Sequence, residues 1–306
     1  MLLAIGDIEQ ALELDPDFAA AWALDAMLRG SAPLFDPERA AEQLLQAEQS
    51  ARRALELDPD LGPAHAALGF VLITRKDWSG GEAAFREALR RHVPLSEIGA
   101  YPALNLCVAN FAYAREIMEE ARRVNPQDRV LLQGLMAANA FLGDWDVARA
   151  QYASGARLFA QWPEGDVVMM HLEVGGNGLE SARTIPATGP INATMIASLD
   201  NPQAALRELH RFYADPVVGG DPRSRRDIGL WAGHFGDPTL AFAAMRSVVT
   251  EASVRTVYLW LPQLKEMRQL PEFKAFLREI GIVAYWQEYG WPDICRPVDN
   301  DTFTCD

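Results

Sequence analysis

The chain is short of cysteine, short of positive charge and free of long uncharged runs, and each shortage removes a class of function. Three cysteines, Cys107, Cys295 and Cys305, are too few for the disulfide framework of a small secreted scaffold. Lys and Arg number 28 against 42 Asp and Glu, a formal net charge of −14. Nucleic-acid affinity comes largely from cationic side chains neutralising phosphates, so DNA and RNA are not expected as direct partners. The basic cluster Arg223, Arg225 and Arg226 reads as a solvated helix start. No uncharged stretch approaches the roughly 20 residues that span a bilayer, so no membrane insertion is expected. The apolar start at residues 1–5 is too short for a signal peptide and is followed by Asp7 and Glu9, which makes a cytoplasmic location the default expectation.

The motifs of common chemistries are missing too. The five histidines, His65, His92, His171, His210 and His234, contain no pair four residues apart and no HExxH. His171 and Glu173 are too close in sequence to share a helix face. The run Gly175-Gly176-Asn177-Gly178 lacks the Lys-Ser/Thr of a phosphate-binding loop. No GxSxG elbow occurs. Carboxylate pairs such as Glu119-Glu120 fall on regular helical patterns and read as solvated faces. No catalytic residue, metal ligand or cofactor is expected, and the chain is not expected to be an enzyme.

What is present is a repeat. Residues 11–17 read ALELDPD and residues 54–60 read ALELDPD again, an offset of 43. Residues 121–128 carry a third version, ARRVNPQD. In each, an amphipathic helix runs into Asp or Asn followed by Pro, which ends it because Pro disfavours the α conformation in the residue before it. From residue 62, Leu68-Gly69, the Asp77-Trp78 turn, Phe85 and Ala88 mark a helical hairpin, with His65 on its first helix. From residue 129, Leu132, Leu135, Gly143-Asp144-Trp145, Ala148 and Tyr152 mark another. Trp22 and Ala26 open the first copy, which carries an insertion around Ser31–Glu38.

These residues resemble the tetratricopeptide repeat, whose unit of about 34 residues is two antiparallel helices. His65 stands where that family usually has Trp. The resemblance implies an all-α fold: a right-handed α-solenoid of antiparallel helical hairpins, degenerate toward the C-terminus, closed by an aromatic end-cap. Residues 1–162 form the repeats, with hairpins near 19–61, 62–94, 95–128 and 129–161. Residues 163–282 form degenerate helical repeats, including 202–214, a hairpin at 223–248 about Gly236-Asp237, and a further helical pair at 253–280. Residues 283–306 form the cap, with Tyr285, Trp286, Tyr289 and Trp291 sealing the open end of the array. The tail, PEFKAFLREIGI at 271–282 with YWQEYGWPDICRP at 285–297, is similar to the ends of bacterial repeat regions that follow class III adenylate/guanylate cyclase or winged-helix regulator domains.

Cys295 and Cys305 flank the acidic stretch Asp299-Asn300-Asp301. Two reduced thiols in a packed tail, a disulfide, and half of a zinc site all remain open. In the repeat architecture the first helices of successive hairpins line a groove. Its wall is expected to carry Ala66, Phe70 and Ile73 from one hairpin and Gln133, Ala137 and Ala140 from another. No Lys or Arg stands there to grip a terminal carboxylate, so the expected partner is a protein or peptide segment, apolar or helical. The alternative is that the chain's own second half fills the groove. The expected function is a protein–protein interaction scaffold or regulatory module. The likeness of the tail implies an alternative, the regulatory C-terminal portion of a nucleotide cyclase or winged-helix transcription regulator whose upstream domain is absent.

Overall fold

The two ALELDPD segments take the same local shape. Asp15 and Asp58 end their helices, and their carboxylates accept the backbone N–H two residues on, from Asp17 at 3.2 Å and Asp60 at 3.0 Å. The next helix then carries a ring that reaches back over the proline. Trp22 Nε1 donates to Pro16 O at 2.9 Å, and His65 Nε2 sits 3.0 Å from Pro59 O. His65 thus does in its hairpin what Trp22 does in the first, with burial lowering its pKa below the ordinary imidazole value. The computed structural model describes residues 2–31, 39–158, 189–251, 253–299 and 302–306. Residues 32–38 of the insertion, Trp162-Pro163, His171, Glu173 and Gly175–Gly178 lie outside the described residues.

The described chain is mostly helical. Its first half comprises α1 (Leu2–Leu14), α2 (Ala19–Gly30), α3 (Ala40–Leu57), α4 (Gly62–Thr74), α5 (Trp78–Arg90), α6 (Ala100–Cys107), α7 (Phe111–Val124), α8 (Arg129–Phe141) and α9 (Trp145–Leu158). Helices α2/α3, α4/α5, α6/α7 and α8/α9 pack as pairs, and the first helices touch in succession, α2 on α4, α4 on α6 and α6 on α8. The second half comprises α10 (Pro190–Ala197), α11 (Pro202–Ala214), α12 (Pro222–His234), α13 (Pro238–Glu251), 3-10 turns at Ser253–Trp260 and Pro262–Leu264, α14 (Lys265–Arg268), α15 (Pro271–Glu279) and α16 (Ile282–Tyr289). Two short antiparallel strands, β1 (Cys295–Pro297) and β2 (Phe303–Cys305), follow.

Four hairpin turns are built alike. Lys76, Ala109, Gly143 and Gly236 each have φ between +66° and +84°, and each is followed by Asp or Asn. The amide of that next residue closes onto a carbonyl five residues back: Asp77 on Leu72, Asn110 on Asn105, Asp144 on Asn139 and Asp237 on Ala232, at 2.8–2.9 Å. Such a left-handed residue ends a helix by satisfying its last carbonyls. Asp77 and Asp237 then cap the next helix, accepting from Gly80 N and Leu240 N at 2.9 Å. A Cβ at Gly143 would meet only open space, so its φ of +84° alone decides the cost of a side chain there. Gly143→Ala is expected to lower unfolding free energy by about 1–2 kcal/mol, whereas Gly99→Ala, at φ −57° with open space around it, is expected to be neutral or stabilising. Urea unfolding of the two variants checks the contrast.

The core crosses the chain. One continuous apolar cluster joins Ile73, Phe85 and Phe111 to Trp231, Trp260, Phe273 and Trp286. A smaller, alanine-rich cluster lies under the first hairpins, where Ala26, Ala51, Ala54, Ala64 and Ala67 let α2, α3 and α4 approach closely. Three expectations are corrected here. Residues 253–264 are 3-10 turns, not the first helix of a pair, and the first of them meets α4, α6 and α13. The tail aromatics pack back on the second and third hairpins instead of sealing the last one: Trp286 Nε1 donates to Val108 O at 2.8 Å, and Trp78 Nε1 donates to Ile280 O at 2.6 Å. A buried indole N–H needs an acceptor, and the carbonyls left free at helix ends supply it. Arg226 is turned inward onto Asp227, at 2.8 Å, and is not a solvated cation.

Candidate functional site

The row of first helices, α2, α4, α6 and α8, is where a partner segment is expected. Its residues divide by burial. On α4, Ala66 and Phe70 are half-buried and Ile73 is buried. Ile73 lies between α4 and α5, close enough to Gly81 that a Cβ there would stand 2.3 Å from its side chain. Phe70 turns toward α2, where its ring would meet a Cβ at Gly30 at 3.0 Å. On α8, Gln133 and Ala137 are half-buried and Ala140 is buried. Four of the six expected positions therefore keep some accessible surface, and Ile73 and Ala140 serve the interior.

The middle of the row is covered by the chain itself. The 3-10 segment Ser253–Trp260 packs on α4 and α6. Leu259, Trp260 and Leu261 are buried, and Trp260 Nε1 donates to Cys107 O at 2.8 Å. Cys107 hydrogen-bonds the backbone of Val257, and burial pushes its thiol up to about 12, so it stays protonated. Lys76 Nζ reaches Thr250 O at 3.1 Å just before the segment. Arg268, itself buried, donates to Leu259 O at 3.2 Å and Leu261 O at 2.9 Å. Desolvation pulls its pKa down to about 10. Toward the two ends of the row Leu24 and Met27 are exposed on α2 and Val130 is exposed on α8.

A second arrangement holds the covering half in place. Glu82 on α5 is 2% exposed and accepts from Arg86 Nε at 2.6 Å, Tyr101 Oη on α6 at 2.8 Å and Tyr285 Oη on α16 at 3.2 Å. Burial first, and the Glu82 charge second, raise both tyrosines well above the ordinary phenol value. Cys295 and Cys305, left open by the sequence, are joined as a disulfide across β1 and β2.

One polar cluster escaped the sequence reading. Arg29 Nε donates to both carboxylate oxygens of Asp25 at 2.8 Å, its Nη1 to Gln43 at 3.1 Å and Gln46 at 2.6 Å, and its Nη2 to Glu9 at 2.6 Å. Ser50 Oγ completes the set on Asp25 at 2.5 Å. Burial opposes the guanidinium charge, but the hydrogen bonds it donates to Asp25 and Glu9, with their negative charges, outweigh it and raise the Arg29 pKa. The cluster borders a cleft of about 280 Å³ beside Trp22 and Arg53. The signal was available: at the offset of 43, Asp25 and Arg29 stand where the next hairpin has Leu68 and Leu72. Every polar group named here has a partner within the cluster, which therefore reads as a structural insert in the first hairpin.

Among the described residues no group of His, Cys, Asp and Glu is placed to hold a metal ion, and no helix is long and apolar enough to cross a membrane. No protein-family model matches the chain, and no curated protein matches it.

Proposed function

We propose that the chain is a right-handed α-solenoid of tetratricopeptide type that works as a protein–protein interaction scaffold or regulatory module, taking a peptide or protein segment along its row of first helices, and that it is not an enzyme. One observation carries this reading. Residues 253–261, a mainly 3-10 stretch of the chain itself, lie across α4 and α6 with Leu259, Trp260 and Leu261 buried and a backbone carbonyl of α6 bound by Trp260. A surface that holds one short segment this way has the chemistry to hold another. Among the described residues, accessible positions remain toward the end of the row at Val130, Gln133 and Ala137 on α8. The similarity of residues 271–297 to tails that follow cyclase or winged-helix domains favours a second reading, the regulatory portion of a signalling protein. The Cys295–Cys305 bridge suits an oxidising compartment better than a reducing one, so a cytoplasmic location is not carried into this proposal.

The test uses α8, because Ile73 is buried and its replacement by Glu would unfold the hairpin. Wild type and Val130→Glu/Ala137→Glu are compared by affinity capture with cross-link mapping, after circular dichroism shows both folded. A partner cross-linked to α8 and lost, by at least tenfold, from the folded double variant supports the reading. Equal capture by both proteins, or cross-links that avoid the row, overturns it.

A further inference from the structure

Arg268 is the joint between the segment on the row and the end of the described chain. The same buried guanidinium that binds Leu259 O and Leu261 O also donates through Nε and Nη2 to Asp306 O, at 2.9 and 2.7 Å. Its neighbour Gln269 donates from Nε2 to Cys305 O at 2.6 Å, and Asp306 N donates to Ile294 O at 2.8 Å. Residues 305 and 306 are therefore the far wall of the Arg268 site. They are held there by a ladder of only three residues per strand, in which Cys295 pairs with Cys305. Two strands that short do not persist alone in water, and the covalent bridge between the paired cysteines ties them together beside the contacts to Arg268 and Gln269.

A second route joins the same parts. Phe303 on β2 is buried edge-on against Trp286, with ring centroids 5.8 Å apart, and Trp286 lies 6.1 Å from Trp260. Opening the hairpin would withdraw Phe303 from the aromatic stack and Asp306 O from Arg268 together. Arg268 would be left buried with two fewer hydrogen bonds, a costly state for a cation, relieved when it moves to solvent and lets go of Leu259 and Leu261.

We propose that the Cys295–Cys305 disulfide is a redox latch that keeps residues 253–261 seated on α4 and α6, and that its reduction uncovers the middle of the row for a short apolar partner segment of the same kind as residues 253–261. This rests on the interaction reading above and adds its regulation. The reductant is a dithiol. One of its thiolates attacks a sulfur of the bridge to give a mixed disulfide, and its second thiolate displaces the protein sulfur. The dithiol leaves as a disulfide, having given two electrons and two protons, and Cys295 and Cys305 become thiols. Both protein sulfurs belong to buried residues, so attack follows fraying of the hairpin at its exposed end near Val298. Cys107 takes no part, because it is buried at the far side of the segment.

The test uses the full chain and one probe, a fluorescently labelled synthetic peptide with the sequence of residues 253–261. Its binding is followed by anisotropy to oxidised protein, to protein reduced with dithiothreitol, and to Cys295→Ser/Cys305→Ser. Hydrogen exchange of residues 253–261 and alkylation with mass counting of free thiols run in parallel. Reduction is expected to accelerate exchange of the segment at least tenfold and to tighten peptide binding at least tenfold, and the double variant is expected to match the reduced protein. Arg268→Gln, with the bridge intact, is expected to accelerate the same exchange. If two new thiols appear while residues 253–261 stay protected, the latch is wrong and the interaction reading stands. If the segment is released and the peptide still does not bind, the interaction reading fails and the regulation falls with it. Should the double variant not fold, the reduced wild type decides between these outcomes.

Discussion

Replacing Glu82 by Ala is expected to lower the unfolding free energy by about 2–6 kcal/mol, as two buried phenols lose their acceptor at roughly 1–3 kcal/mol each. The size follows from position. Glu82 is contacted by three side chains from α5, α6 and α16, two of them buried tyrosines. Arg86 contributes less to the loss, because its side chain is 53% exposed and water takes over its partner's role. Glu82→Gln keeps an acceptor oxygen for one hydroxyl and should recover about half of the loss. The tyrosines also set an alkaline limit. Their folded pKa values lie above the ordinary value of 10.0, so their contribution is complete below that pH and is lost as pH rises toward the folded values. In the wild type, tyrosinate absorbance from Tyr101 and Tyr285 should therefore emerge only with unfolding. In Glu82→Ala the unfolding midpoint should move to lower alkaline pH. Denaturant unfolding at neutral pH, with a spectrophotometric titration, reads both effects; a Glu82→Ala variant as stable as wild type would remove Glu82 from the joint.

Trp260→Ala is the second large expected loss, about 3–5 kcal/mol for truncating a buried tryptophan. Trp260 is 2% exposed, donates to Cys107 O and meets Phe273 and Trp286 at 6.2 and 6.1 Å. It belongs to a core that takes side chains from both halves of the chain, so wild type should unfold in one step. Removing the indole should separate that transition, leaving α2–α4 to melt with their alanine-rich core apart from the rest. Trp260→Phe keeps most of the apolar volume and loses one hydrogen bond, and about 1–2 kcal/mol is expected for it. Calorimetry and denaturant curves for the two variants distinguish a joint between halves from an ordinary core residue. A single unshifted transition in Trp260→Ala would contradict the packing described.

The hairpins were legible because their signals are local. ALELDPD fixes a helix end, a turn and the ring that folds over its proline within a dozen residues, and Gly143-Asp144 and Gly236-Asp237 declare left-handed turns by composition. Lys76 and Ala109 take the same left-handed turn with no glycine to announce it. The rest depends on contacts between distant parts of the chain. Nothing in the periodicity of residues 253–264 shows that they lie on α4 and α6, because a short apolar run reads alike whether it pairs with its neighbour or with a helix some 150 residues away. The tail's aromatic density announced burial but not the surface that buries it. Among the expected partner positions, Ile73 and Ala140 were separated from Phe70 and Gln133 only by the local rotation of each helix, which small residues such as Gly81 set. Asp25 and Arg29 were visible all along as charges in leucine positions, once the first two repeats are aligned at their own offset.

The seating of the second half on the first-helix row is tested most directly by nuclear Overhauser contacts from the tryptophan indole N–H protons in uniformly labelled protein. Trp260 should show contacts to Cys107 and Val108, Trp286 to Val108, and Trp78 to Ile280, with all three protons exchanging far more slowly than that of Trp22, whose hydrogen bond to Pro16 is exposed. Exchange as fast as that of Trp22, with no contact between residues 253–289 and residues 78–110, would show that the row stands uncovered and the two halves are not joined as described.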